Sequence, residues 1–282
     1  MLVFYKSNIS FLTEHAIDPD KRRYAVEGEG PRHFIDLDTY GTYPFPNLPR
    51  DREKATEQFT EDSINANGIV PWHVQTMLRR LTNAFKENNY SSIMKNSAEL
   101  GHYIADAHVT LHASSNHNGQ KTDQKGIHGF WESRIPELLA DKEFDFFIGK
   151  AQYISNPGAF IWDRVLESSL AADSVLKFEK ELSVQFPGDK KYGFEKRNAA
   201  TPKQYSSEYS KAYNKKLNGM IERRMRQSIF AVASFWYTAW VNAGQPDLTL
   251  LSGKSFSDED LKGFEELNEI WKNNKIVGRE HE

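Results

Sequence analysis

His102 and Asp106 stand four residues apart, and so do His128 and Glu132. At about 3.6 residues per turn, each pair occupies one face of a helix. A fold that uses both pairs must therefore be helical at both places and must bring the two helices together. His112 lies between them, and five of the nine histidines fall from His102 to His128. Three imidazoles and two carboxylates are the ligand mixture of a hydrolytic zinc site. A lone histidine on a helix is ordinarily a surface or packed residue. Packing alone does not account for this density beside Tyr103, Ile104, Leu111, Ile127, Phe130 and Trp131. The spacing predicts a metal site, with zinc the first expectation.

Helical periodicity runs through most of the chain, and Val/Ile/Thr alternation is scarce. Helices are expected over Asp51–Asn67, Pro71–Asn88, Ser91–His112, His128–Leu139, Gly158–Phe186 and Ser206–Ala243. The breaks fall at Gly68 and at Asn88-Asn89. Residues 187–202 read as a polar loop. Asp18–Phe45 is rich in Gly and Pro and reads as a long irregular, functional segment. The expected fold class is all-α: one multi-helix domain over residues 1–253, then a C-terminal helix and polar tail over 254–282.

With 282 residues, a high aromatic content and a formal charge of −3, the chain can build a sizeable core. It lacks the broad basic face of a general nucleic-acid binder. The absence of cysteine excludes disulfides, Cys-zinc sites and a thiol nucleophile. The N-terminus does not read as a signal peptide. The longest apolar run, Ile229–Val241, is too short to span a bilayer and reads as a buried helix.

LGHYIADAHVTLH, containing His102, Asp106 and His112, resembles the signature of the zinc-dependent phospholipase C and single-strand-specific zinc nuclease superfamily. GIHGFWE, with His128 and Glu132, is similar to that family's next motif, and HFID at His33–Asp36 to its upstream one. Asp18 best fits the spacing of the family's early metal-binding aspartate, with Asp20 its rival. The resemblance covers roughly residues 10–245, and its specificity lies in the ordered set of motifs.

The resemblance implies one zinc held by Asp18, His33, His102 and Asp106, and a second held by His112, His128 and Glu132. A third zinc, on the bridging Asp106, a family N-terminal Trp and a further His, has only a fragment of its ligands, because the chain begins Met1-Leu2. The chain reads as N-terminally truncated relative to the family, with weaker activity expected. Asp18 and Asp106 are the expected catalytic residues, and metal-activated water the nucleophile.

The expected function is phospholipase C-like phosphodiester hydrolysis, since Glu132 as the last ligand is similar to the phospholipases. A single-strand-specific nuclease is the alternative. The implied partners are a phospholipid or single-stranded nucleic acid, with contact to a membrane surface and no protein partner. The resemblance also implies a periplasmic or secreted location. Two readings come from other classes. One is a non-catalytic zinc- or lipid-binding module. The other is a di-iron carboxylate bundle built on Glu99-x-x-His102, which lacks the second such pair that architecture requires.

Overall fold

The computed structural model describes residues 1–194 and 201–277. Three short helices open the chain: α1 (Leu2–Ser7), α2 (Ile9–His15) and α3 (Asp18–Arg22). After an irregular stretch come α4 (Arg52–Phe59), α5 (Glu61–Ala66), α6 (Val70–Lys86) and α7 (Tyr90–His108). A 3₁₀ turn at Thr110–Ala113 leads to the single turn α8 (Ile127–Gly129), a π-helical turn at Phe130–Arg134, and α9 (Ile135–Glu143). Next are the long α10 (Pro157–Gln185) and the short α11 (Gly188–Lys191). Strands β1 (Tyr192–Phe194) and β2 (Lys203–Tyr205) form an antiparallel pair, with Tyr192 opposite Tyr205. Then come α12 (Ser207–Lys216), α13 (Met220–Asn242) and α14 (Asp258–Asn273). The fold is all-α, as the periodicity predicts.

Four of these helices, α6, α7, α10 and α13, pack on one another and carry the main core. Helix α7 begins where the Asn89 side chain accepts the Ser92 amide at 3.0 Å, supplying an acceptor for one of the helix's orphan donors. It buries Ile93, Met94, Ala98, Leu100, Ile104 and Ala107. Full burial of an aliphatic side chain of this kind stabilises by about 1.5–3 kcal/mol. It ends at His108, four residues before the expected end, where two β-branched residues follow and Val109 turns extended. The buried Arg224 guanidinium of α13 donates to the His108 carbonyl at 2.9 Å and thereby satisfies the helix end. His112 is thus not on α7 but on the 3₁₀ turn after it.

A second core gathers Leu111, Phe130, Trp131, Ile135, Tyr209, Tyr213 and Ile221. Ala107 belongs to the first core and Leu111 to the second, so the 108–112 turn crosses the seam between them.

Other differences from the expected helices have local causes. Thr60, at φ 66°, splits 51–67 into α4 and α5 and caps the second. Asn218 and Gly219, both at positive φ, split 206–243 into α12 and α13. The flanks of the expected 187–202 loop form α11 and the strand pair; its residues 195–200 lie outside the described residues. The first three helices are too short to show a period. At the other end, α14 lies on α3, with Phe264 against Phe11 and His15, and the Val277 amide donates to the Arg23 carbonyl at 2.8 Å. Among the described residues, no helix is long and apolar enough to cross a membrane.

Candidate metal centre

Segment 30–36 delivers His33. It is fixed by main-chain hydrogen bonds on both sides: Ile69 N to Pro31 O at 2.7 Å, Val70 N to Phe34 O at 3.1 Å, and Ile35 N to His112 O at 2.8 Å. Gly68, at φ +88°, allows this approach; a Cβ there would lie 2.2 Å from the Phe34 carbonyl oxygen. The result is a fully buried His33 facing the last turns of α7.

Around its Nδ1 lies the first cluster. Asp106 Oδ2 is 3.0 Å away and His102 Nε2 3.1 Å, with Asp20 Oδ1 at 3.7 Å. His102 Nε2 is 3.3 Å from Asp106 Oδ2 and 3.7 Å from Asp20 Oδ1. Burial opposes charge on His102, but the Asp106 carboxylate, aided by Asp20, outweighs it and raises the ring's pKa to about 9. Burial likewise opposes charge on Asp106, and the His102 and His112 rings hold it well below the usual carboxylate range.

The second cluster gathers His112, His128 and Glu132. His112 Nε2 is 3.1 Å from His128 Nε2 and 3.5 Å from Glu132 Oε2; His128 Nε2 is 3.2 Å from Glu132 Oε1. The far nitrogens decide the tautomers. His112 Nδ1 is 2.6 Å from the His33 carbonyl, and His128 Nδ1 is 3.1 Å from the His117 carbonyl. A carbonyl only accepts, so both Nδ1 atoms carry a proton, and both Nε2 atoms converge on the Glu132 carboxylate. A cation placed among them, a proton on His128 Nε2 or a metal ion, satisfies all three groups. Burial works against charge on Glu132, yet with the proton on His128 that charge and the hydrogen bonds of the two rings hold its pKa low.

Asp20, His33 and His102 form one group that could hold a metal ion, and His112, His128 and Glu132 form a second. They adjoin: Asp106 Oδ1 lies 3.7 Å from His112 Nδ1. Six of the seven expected ligands come together, namely His33, His102, Asp106, His112, His128 and Glu132.

Asp18 does not join them. Its carboxylate is buried between His15 Nδ1 at 2.7 Å and Lys21 Nζ at 2.8 Å, on the α14 side of α3. Burial would raise its pKa, but these two partners overcome that and lower it. Asp20 stands in the first cluster instead. Two residues along a helix is a rotation of about 200°, so the two aspartates face opposite sides of α3. Asp20, not the expected Asp18, is thus the aspartate of α3 that stands beside His33 and His102.

The other histidines among the described residues stand outside the two clusters. His108 is buried and faces away; its Nδ1 pairs with the Ile104 carbonyl at 2.7 Å. Burial, with the Arg224 charge adding, lowers its pKa to about 3. His73 is packed edge-on to Tyr103 at 4.4 Å. His117 contributes its carbonyl, which orients His128. The Glu99 carboxylate accepts from Arg22 at 2.8 Å, which engages the carboxylate a di-iron reading would use.

Sequence reasoning missed Glu29. It is fully buried, its Oε1 3.6 Å from His33 Nε2. Asp38, a nearer carboxylate in sequence, accepts the Ser115 amide at 2.8 Å. Burial would raise the pKa of Glu29; the nearby His33 ring and the charge of Arg22 lead the groups that overcome it and bring it to about 2. The available signal was that Glu29 and His33 are also four apart.

Comparison with protein-family models, curated proteins and solved structures gives no match to this chain.

Proposed function

We propose that the chain is a zinc-dependent phosphodiester hydrolase of the phospholipase C type. The observation that carries this reading is the closeness of two three-residue groups, Asp20, His33 and His102 in one and His112, His128 and Glu132 in the other, with Asp106 between them. Three protein donors leave a position open for water or substrate, as in catalytic zinc sites. Zinc–nitrogen bonds of about 2.0–2.1 Å give a tetrahedral edge of roughly 3.3 Å. The donor spacings of the second cluster, 3.1, 3.2 and 3.5 Å, fit that edge. The donors are nitrogen and oxygen only, from a chain without cysteine.

Bound there, zinc would polarise phosphoryl oxygens and make water nucleophilic at neutral pH. The protein's own part is to hold that charge and to orient the donors. Asp20 and Asp106 offset two positive charges in the first cluster. The His33 and His117 carbonyls keep His112 and His128 in the tautomer that binds. Asp20, whose side chain is half exposed, is the carboxylate placed to take a proton at the mouth of the site.

A cleft of about 190 Å³ opens beside Glu132, lined by Val109, Trp131, Pro136, Ile221 and Met225. Its apolar wall suits a lipid-derived group better than a sugar–phosphate chain, which supports the phospholipase reading over the nuclease one.

Metal analysis combined with turnover tests the reading. Two zinc per chain and hydrolysis of phosphatidylcholine vesicles are expected. Zinc-loaded protein inert on a chromogenic phosphodiester would leave a non-catalytic zinc-binding module. Cleavage of single-stranded DNA or RNA without phosphatidylcholine turnover would replace the proposed activity with the nuclease.

A further inference from the structure

One buried carboxylate, itself in neither cluster, grips every segment that carries a nitrogen or oxygen donor to the first. Glu29 Oε2 accepts from Arg32 Nη1 at 2.5 Å and from Arg22 Nε at 3.4 Å. Its Oε1 accepts from the Tyr103 hydroxyl and faces His33 Nε2 at 3.6 Å. Each partner is a ligand or stands beside one in sequence. Arg22 follows Asp20 by two residues on α3, Arg32 precedes His33, and Tyr103 follows His102 on α7. Arg22 adds a second tie from α3 to α7, donating to Glu99 at 2.8 Å and to the Tyr103 hydroxyl at 3.2 Å. The segments bearing His112, His128 and Glu132 supply none of these partners.

We propose that Glu29 is the positioning residue of the first cluster. It clamps α3, the 30–33 turn and α7 so that Asp20, His33 and His102 meet. By standing at His33 Nε2, it also fixes the tautomer that turns the Nδ1 lone pair toward the ion. A carboxylate behind a metal-binding histidine has this effect, and its loss typically costs 10–100-fold in metal affinity. Without the Glu29 charge, Arg32 would also lose its counter-charge beside a cation site, and Arg22 would keep only Glu99. The inference rests on the reading that the first cluster holds a divalent metal ion.

The test is Glu29→Gln in the full chain, titrated with Zn²⁺ against a competing chelator and with Co²⁺ followed by its visible absorption. Titrations in a His128→Ala background report the first cluster, and those in a His102→Ala background the second. Glu29→Gln should weaken the first cluster about 10–100-fold and alter its Co²⁺ spectrum, while the second stays within about twofold. Circular dichroism checks the fold. If Glu29→Gln does not fold, Tyr103→Phe, which removes only the hydroxyl donated to Oε1, should still give a several-fold loss confined to the first cluster. Equal losses at both clusters, or no loss at the first in a folded variant, overturn the role of Glu29. Wild-type protein that binds no Zn²⁺ or Co²⁺ overturns the metal reading itself, and the inference with it.

Discussion

Asp18 and Asp20 stand two residues apart on α3 and face opposite sides of it, one between His15 and Lys21, the other beside His33 and His102. The two substitutions should therefore separate. Asp20→Asn is expected to lower bound zinc from two ions per chain to one, with little change in Tm. Asp18→Asn should keep both ions. It weakens hydrogen bonds to charged partners, at roughly 1–3 kcal/mol, and lowers Tm. Elemental analysis and a thermal melt on each variant decide it, and the opposite pattern would restore Asp18 as the ligand.

That pair also shows where sequence reading stops. His102/Asp106 and His128/Glu132 were legible because a spacing of four puts both side chains on one helical face whatever surrounds them. The choice between Asp18 and Asp20 depends on what covers α3. The answer is α14, more than two hundred residues later, whose Phe264 seals His15. Glu29 was hidden for a similar reason: the Tyr103 hydroxyl that helps to bury and hold it lies 74 residues away. Helix α7 was legible along its apolar face but not at its end, because Arg224 of α13 completes the termination at His108.

Asp106 touches both clusters, through Oδ2 to His33 and His102 and through Oδ1 toward His112. Asp106→Asn keeps the shape but removes the negative charge. Zinc content and phosphodiesterase turnover should both fall at least tenfold while far-UV circular dichroism is unchanged. Asp123→Asn is the control: Asp123 is exposed, at φ 61°, a conformation Asn adopts readily. Equal survival of metal and activity in the two variants would remove Asp106 from the centre.

Gly68→Ala should damage stability and metal binding together. The new methyl would collide with the Phe34 carbonyl at 2.2 Å, from a backbone at φ +88°. Neither can yield without shifting the strut that holds His33, so the cost should be about 1–3 kcal/mol or more. Gly188→Ala, with open space and no positive φ, should be neutral. Chemical denaturation and zinc titration of the pair provide the comparison.

The last prediction concerns the docking of α14. Asp260 accepts from Lys95 at 2.5 Å and from Ser91 at 2.8 Å, both on α7, and closes a capping box with Ser257. Chiefly through the Lys95 hydrogen bond, with burial opposing and Ser91 and Ser257 assisting, its pKa lies below the usual carboxylate range. A carboxyl whose folded pKa is depressed stabilises the fold above its unfolded pKa, and that contribution is lost as pH falls through the folded one. At pH 7 Asp260→Asn should cost roughly 1 kcal/mol, the scale of a helix cap plus a solvent-screened ion pair. That corresponds to a Tm loss of roughly 2–4 °C. The difference between wild type and variant should hold down to about pH 4. Below the ordinary value of 3.8 it should shrink, because the carboxyl of the unfolded wild-type chain then takes up a proton that the folded one still resists. Thermal melts of both proteins from pH 7 to pH 3 read that difference directly. A gap that stays constant across the range would mean that the Asp260 charge does not hold α14 in place.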